Sequence, residues 1–600
     1  MKRLYFLIVL LSISYSSNFE PANGSLLNYT HIFFSWPQIP DADNYHLLIS
    51  EDSIFSNPNI ITTQTNSYLA EDIFNWGDDC YWMVCNENNE DCYDQNFFSV
   101  SYLPLYYPDS VEIITYDENI SFNGINVLDF ESLNFSLALD MQGEPIWYAN
   151  RSNFNNDKIV ITQVLPNGNF VGMSNGVGSE FNKDSEVIFT TPSNYGVHHQ
   201  IYKTENDTYF FIDATVEFNT CPEECEGLIQ WQGDQFIEVD NSGNVLWEWN
   251  MFDYVPLTEY NPYWIEVFTG NLPFDWSHSN SVHFDGNNVY VSIRNLSRIT
   301  AIDYETKNIV WNLGNIDFMD NPTWVSDLGF SHQHSAQVLD NGNILFFDNG
   351  RDNDPQVSRC LEVDVYSNSD PEIVWEYTLP DSLLTLSRGE CDRLSNGGTI
   401  ITVGRTGHII ELDPDDNIVW KLHATTNDVD ISIYRNERIL NLYPESFSYE
   451  IDYLKGEFGD YFLPYYGKID IEIGNYGWGN QDLLYDIVKG VDTLSSGMVN
   501  LNIPSIDFIV GAIDESLYTL NIYADEENIK SCSFTLIESL GNINHDDNID
   551  ILDIMLCVNF ALGVITPNNF ELYSSNLNGD SLIDILDILI LVNLVMENNE

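Results

Sequence analysis

"FSHQHSAQVLDNGNILFFDNGR", residues 330–351, sets two strand-like runs around Asp340-Asn341-Gly342. That tripeptide is strong hairpin punctuation, because Asn and Gly accept the positive φ a tight turn requires. With Asn341 at the tip, His334 falls roughly opposite Asp348, and Arg351 returns to the same end as His332 and His334. The hairpin recurs as "VLPNGNFVG", "HFDGNNVYVS" and "RLSNGGTIIT", with Asn287, Asn341 and Asn396 spaced 54 and 55 residues apart. A second phrase interleaves with it: "LALDMQGEPIWY", "IEVDNSGNVLWEW", "TAIDYETKNIVWNL", "LEVDVYSNSDPEIVWEY" and "IELDPDDNIVWKL". Each places an Asp at a strand end (Asp140, Asp240, Asp303, Asp364, Asp413), then a turn, then a strand carrying Trp (Trp147, Trp247, Trp311, Trp375, Trp420).

Antiparallel strands repeating at this period imply a β-propeller, since one four-stranded blade cannot bury both faces alone. The span 110–455 accommodates six blades, with the tryptophans as packing between blades.

The rest of the chain reads differently. "MKRLYFLIVLLSISYSS", residues 1–17, has two basic residues, a short apolar run and small residues, which predicts a secretory signal peptide. The expected location is periplasmic, extracellular or cell-surface, with no membrane span. Residues 19–106, with "HIFFSWPQIPDADNYHLLIS", resemble a fibronectin type III or immunoglobulin-like sandwich. Residues 456–537 alternate with period two, as in another β-sandwich. Export permits disulfides. The nine cysteines fall in local groups, leaving one thiol if the rest pair, and Cys221 with Cys225 reads as a loop disulfide.

With 21 basic and 92 acidic side chains, a net charge of -71 excludes nucleic acid and anionic membrane surfaces as partners. Against that background the cations are not scattered. Nine of eleven arginines lie between 294 and 438, and eight of eleven histidines between 198 and 423. Inner strands of a propeller share a channel, so these side chains converge there as a site for a small oxyanion, with Arg as a bidentate clamp.

"NINHDDNIDILD" and "NLNGDSLIDILD" start 34 residues apart, at Asn542 and Asn576. Their oxygen-bearing positions are Asn542, Asn544, Asp546, Asp550 and Asp553, then Asn576, Asn578, Asp580, Asp584 and Asp587, with Asn548 and Leu582 at position seven. This is the ligand spacing of a calcium loop, and each copy leads into an apolar helix. The pair, over 540–597, resembles a type I dockerin. That resemblance implies bound Ca²⁺ and a cohesin-like or cell-surface protein partner. Asn in place of Asp at position one removes charge from both loops.

The segments "VHHQI", "DWSHSNSV", "QHSAQVLDNGNILFFDNGR" and "SRCLEVD" resemble bacterial arylsulfate sulfotransferases. The resemblance implies a mainly β fold and transfer of a sulfuryl group from an aryl sulfate to a phenol, without a nucleotide sulfate donor. It implies His278, His334 and Arg351 as catalytic residues binding the sulfuryl group, with His199, Asn280, Tyr434 and Arg435 beside the substrate. It also implies a nucleophilic histidine just before the Tyr434-Arg435 pair, where this chain has Ile433. The alternatives are a non-catalytic propeller binding a sulfated or other anionic ligand, tethered by the dockerin-like module, and a hydrolase using the same pocket.

Overall fold

The computed structural model describes residues 19–597, apart from 41, 89–90, 223–226, 315–317, 319–327, 367–369, 458–459, 466, 480–481, 502–503, 511–515, 525–527, 538–539, 545–547, 568 and 579–581. The expected signal segment, Cys225, Asp546 and Asp580 lie outside the described residues. The chain forms two compact units: Leu27–Thr30 with Ser101–Pro444, and Met1–Leu26 with His31–Val100 and Glu445–Glu600.

Among the described residues the larger unit contains six successive sheets, each built on four antiparallel strands; the third also takes Phe274–Asp275 in parallel beside Leu228–Val239, and the sixth also takes Val429–Asp430 and Ser110–Tyr116. Their first strands are Ile433–Ile439, Val160–Val164, Val197–Lys203, Ser279–Phe284, His334–Val338 and Glu390–Arg393. Each first strand neighbours the next, and the last neighbours Ile433–Ile439, so the six close a ring. The closure is built from both ends of the unit. Ile433–Ile439 completes the sheet of Ile125–Phe130, Phe135–Leu139 and Pro145–Tyr148, while Ser110–Tyr116 pairs with the outer strand Ile418–Thr426 of the sixth sheet.

The repeated phrases account for this. Each Asn-Gly hairpin joins the first and second strands of a sheet, and Gly342 adopts φ 85° at the turn after Asn341. Each Asp-to-Trp phrase spans the third and fourth strands. The tryptophans then tie sheet to sheet. Trp147 donates to the Lys183 carbonyl at 2.6 Å, Trp247 to Tyr304 at 2.9 Å, and Trp420 to Met141 at 2.9 Å. Trp375 is half-buried under the Arg393 guanidinium, 4.0 Å from the ring centre, and its indole reaches Asp416.

Two sequence expectations need correction here. His334 lies opposite Phe347, not Asp348, because the strand bulges between His334 and Gln337. Phe447–Ile451, expected to belong to the ring, pairs instead with Lys468–Asn475, so the sheet assigned to 456–537 begins earlier.

In the other unit, Ile32–Ser35 pairs with Ser67–Ala70, and Tyr45–Ser50 lies between Asn59–Thr63 and Asp79–Asn86. Asn66 donates to the Tyr449 carbonyl and Gln38 to the Ile451 carbonyl, across 383 and 413 residues of sequence. Phe447, Ile471, Leu520 and Phe534 share the next core, where Asp460–Pro464 runs parallel to Ile529–Ile537. The C-terminal segment forms helices Ile551–Ala561, Asn569–Ser575 and Ile585–Glu597, the middle one not anticipated from the sequence. Ile543, Cys557, Phe560 and Leu591 form their core.

Cysteine usage also departs from expectation. Cys85 pairs with Cys92 and Cys360 with Cys391, and Cys221 is disulfide-bonded. Three thiols, Cys80, Cys532 and Cys557, are free rather than one. Cys80 and Cys557 are buried and Cys532 half-buried, and burial pushes the Cys80 and Cys532 thiols up to about 12. Among the described residues no helix is long and apolar enough to cross a membrane.

Candidate active site

The first strands of the ring do not run straight. Register shifts interrupt them between Val197 and Ile201, Ser279 and Ser281, His334 and Gln337, and Ile433 and Asn436. A bulge turns consecutive side chains away from the alternating pattern of a flat strand. His199 (φ 61°), His278 (φ 50°), His332 (φ 55°), Ser335 (φ 51°) and Arg388 (φ 67°) all adopt left-handed backbone. For residues with a β-carbon that conformation costs about 1–2 kcal/mol each. Three of the five are histidines, and such backbone on a buried site residue marks a place where positioning outweighs local stability.

His334 is buried, and its Nδ1 lies 2.9 Å from the Gly389 carbonyl oxygen and 2.9 Å from Ser335 Oγ. A carbonyl only accepts, so Nδ1 carries the proton and Nε2 presents a lone pair. Gly389 is required for this contact. It has φ 101°, and a β-carbon there would stand 2.7 Å from the Phe347 ring. His278 is oriented differently, with Nδ1 donating to Asp275 Oδ2 at 2.6 Å. The ring of His199 lies 4.7 Å from that of His278, and its Nδ1 lies 2.8 Å from Tyr434 Oη. Tyr434 donates to the His199 carbonyl at 3.2 Å and meets the His334 ring edge to face at 5.2 Å. Thus His199, His278, His334 and Tyr434 form one cluster.

Charge reinforces neutral imidazoles here. Burial drives His334 well below the ordinary histidine range, helped by the Arg435 and Arg294 charges. Burial and the neighbouring His278, His198 and His334 do the same to His199. Arg435 forms a buried ion pair with Glu390 at 3.2 Å, and its Nε and Nη2 have no hydrogen-bond partner among the described residues.

The clustered arginines now separate into two groups. Arg298, Arg359, Arg388, Arg393, Arg435 and Arg438 pair with Glu259, Asp348, Glu131, Glu362, Glu390 and Glu411. Arg294, Arg351 and Arg405 have no ion-pair partner among the described residues. Arg294 is buried at 5.4 Å from the Trp264 ring, and burial with the Arg351 charge lowers it to about 10.

The sequence reading placed Arg351 and His334 on one sulfate. Arg351 donates to Tyr263 Oη at 2.6 Å and lies over the rings of Tyr263 and Trp264. The buried arginine whose charge acts on His334 and on which Arg351 acts in turn is Arg294. Asn280 donates to the Gln333 carbonyl at 2.8 Å, tying two sheets together, and Asp275 is the residue that orients His278. Ile433 is buried and pairs with Phe130. Asp275, Arg294, Gly389, Tyr263 and Trp264 were not singled out from the sequence. The i, i+3 pairing in "DWSH" was the available signal for the first.

In the C-terminal loops, the position-twelve carboxylates fold their own loops. Asp553 Oδ1 accepts from the Ile543 and Asn544 backbones at 2.6 and 3.0 Å, and Oδ2 from Asp550. Asp587 repeats this with Leu577, Asn578 and Asp584. Asp550 and Asp584 cap the following helices through Leu552 and Leu586. Asn542, Asn544, Asn548, Asn578 and Leu582 line the same turns. The Oδ1 of Asn576 is buried with no hydrogen-bond partner among the described residues, an oxygen left over for a hard cation. No group of three or more His, Cys, Asp or Glu is arranged as a metal cage among the described residues.

Parts of the chain are similar to known proteins. Among solved structures, a protein of unknown function from Bacteroides caccae has a TM-score of 0.34 and 12% identity, covering 52% of this chain and 98% of its own. Virginiamycin B lyase from Staphylococcus aureus has a TM-score of 0.30 and 12% identity, covering 54% and 89%. The extracellular domain of a putative hybrid two-component system from B. thetaiotaomicron has a TM-score of 0.30 and 11% identity, covering 76% and 60%. No curated protein matches the chain. The family model described as Arylsulfotransferase (ASST) matches residues 86–407, more than half of the 600, and the chain belongs to that family.

Proposed function

We propose that the six sheets are the blades of one β-propeller and that its histidine cluster moves a sulfuryl group from an aryl sulfate ester to a phenolic acceptor. The observation that carries the reading is the His334–Gly389 contact, which leaves Nε2 bare and neutral in a desolvated site. In this reading Nε2 attacks sulfur. The S–N bond forms as the ester S–O bond breaks, and the departing phenolate takes a proton from His278. Asp275 holds the imidazole of His278 in the orientation that returns the proton. The acceptor phenol then loses its proton to His278, its oxygen attacks sulfur, and the S–N bond breaks. Arg294 and Arg435 supply positive charge for the sulfuryl oxygens.

Incubation with 4-nitrophenyl sulfate, with and without phenol, tests this. Transfer yields phenyl sulfate only when phenol is present, and quenched enzyme carries the sulfuryl group on a peptide containing His334. Hydrolysis proceeds without phenol. Binding without product supports the anion-binding alternative that Ile433 favours. A labelled residue outside the larger unit overturns the proposal.

The C-terminal loops are read as a dockerin-like calcium module on an exported protein. Calcium would fix the loop oxygens, with Asn576 and the position-twelve carboxylates among its holders. Exposed Ile551, Leu552, Met555 and Leu562 recur at the same 34-residue offset as exposed Ile585, Leu586, Leu589 and Met596. Two equivalent apolar faces on one small module suit a cohesin-like protein partner.

A further inference from the structure

Beside the histidine cluster lies an open cavity of about 440 Å³ lined by Glu131, Ser132, Lys158, Arg388, Arg405 and Ser432. It shares its walls with the site. Arg388 precedes Gly389, whose carbonyl fixes His334, and Ser432 stands two residues before Tyr434. The volume lies in the range of small-molecule sites.

Its charge is not balanced. Glu131 accepts two hydrogen bonds from Arg388, through Nε and Nη2, and lies 3.7 Å from the Lys158 ammonium. One carboxylate thus answers three cations, and Arg405 has no ion-pair partner among the described residues. The Arg388 and Arg351 charges both act on Arg405, which is solvent-exposed. In a chain carrying 92 acidic side chains, leaving like charges unanswered at one rim favours an anionic ligand. A second contrast points the same way. The sulfuryl group is already served by Arg294 and Arg435, both buried, so the rim cations address a different part of the ligand.

We infer that the cavity is a subsite for a second anionic group, and that the preferred substrates are aryl sulfates bearing an additional carboxylate or sulfate. The inference rests on the sulfuryl-transfer reading for where the first sulfate sits. Lys158, Arg388 and Arg405 hold the second anion, while the Glu131 clamp keeps Arg388 from folding into the site.

Binding separates the two ideas, because it needs no turnover. Phenyl sulfate and 4-carboxyphenyl sulfate are titrated into the full chain by calorimetry, and each is also assayed for transfer to phenol. The carboxylated probe binds at least tenfold more tightly at low salt, and the preference shrinks as salt rises. Arg405→Ala and, independently, Lys158→Gln reduce that preference several-fold and leave phenyl sulfate affinity unchanged. Equal affinity of the wild-type chain for the two probes overturns the subsite, as does loss of affinity for both in each variant. Preference without any turnover leaves the subsite standing and removes the transferase reading. Turnover of both probes with equal affinity for the two does the reverse.

Discussion

His334 Nδ1 donates a hydrogen bond to the carbonyl of Gly389, 55 residues downstream, and this contact between two adjacent sheets sets which nitrogen of the imidazole keeps its lone pair. Gly389→Ala tests the link. The added carbon meets the Phe347 ring at 2.7 Å, and φ 101° strains any residue with a side chain. A stability loss of about 1–3 kcal/mol follows from the backbone alone. If the carbonyl sets the tautomer, kcat falls about 100-fold or more while KM changes little. Equal effects on stability and KM, with kcat preserved, would remove Gly389 from the mechanism.

Asp129 provides a pH test. Burial, with the nearby Glu131 charge, pushes it up to about 8, while its Oδ1 accepts the Tyr434 and Arg435 backbone N–H groups. The folded chain therefore keeps a proton that the unfolded chain releases near pH 4. Its stabilising contribution is full below about pH 4 and is lost as pH rises through about 8. Asp129→Asn stays neutral throughout and keeps an accepting oxygen. Denaturant midpoints at pH 5 and pH 9 should differ less in the variant than in the native chain.

His334 and His199 act in the opposite sense. Both are held below the ordinary histidine range, so their contribution is present above about pH 6.5 and fades as pH falls. A neutral His334 also keeps its lone pair in mild acid. The acid limb of kcat against pH should thus lie well below the value for an exposed histidine. A limb near 6.5 would assign it to another group.

The Cys360–Cys391 bridge joins a third strand of one sheet to the first strand of the next and closes 31 residues. Loop-closure entropy of that size is worth about 3–4 kcal/mol. Cys391 is two residues from Gly389, so Cys360→Ser with Cys391→Ser should lower both the melting temperature and kcat. A variant that melts earlier but turns over normally at low temperature would confine the bridge to stability.

Much of this was legible because the signals were periodic. The Asn-Gly turns and the Asp-to-Trp phrases recur, and recurrence implied sheets that must cover one another. The histidines at 199, 278 and 334, on or just before first strands, were legible as a concentration of imidazole against an acidic background. Asp275 was not, because in a regular strand a residue three positions away points to the opposite face. Only the φ of 50° at His278 folds the chain so that the two side chains meet, and no residue type but glycine announces such a conformation. Tyr263 and Trp264 lie in the stretch between sheets that has no counterpart in the repeats. The bulge after His334 moved its partner from Asp348 to Phe347 for the same reason: insertions of one residue leave no periodic trace.

The calcium reading makes a distinction between two residues of one loop. Asp587 accepts three backbone N–H groups, so Asp587→Ala should unfold its loop with or without calcium. Asn576 differs, since its Oδ1 has no hydrogen bond among the described residues. Asn576→Ala should leave the calcium-free melting profile of the full chain nearly unchanged while removing calcium-dependent stabilisation from one of two sites. Calorimetric titration would then give two calcium ions for the native chain and one for Asn576→Ala, with the sulfotransferase assay unaffected. Two ions bound by Asn576→Ala with native affinity would show that its oxygen is not a ligand, and no uptake by the native chain would refute the calcium reading for both loops.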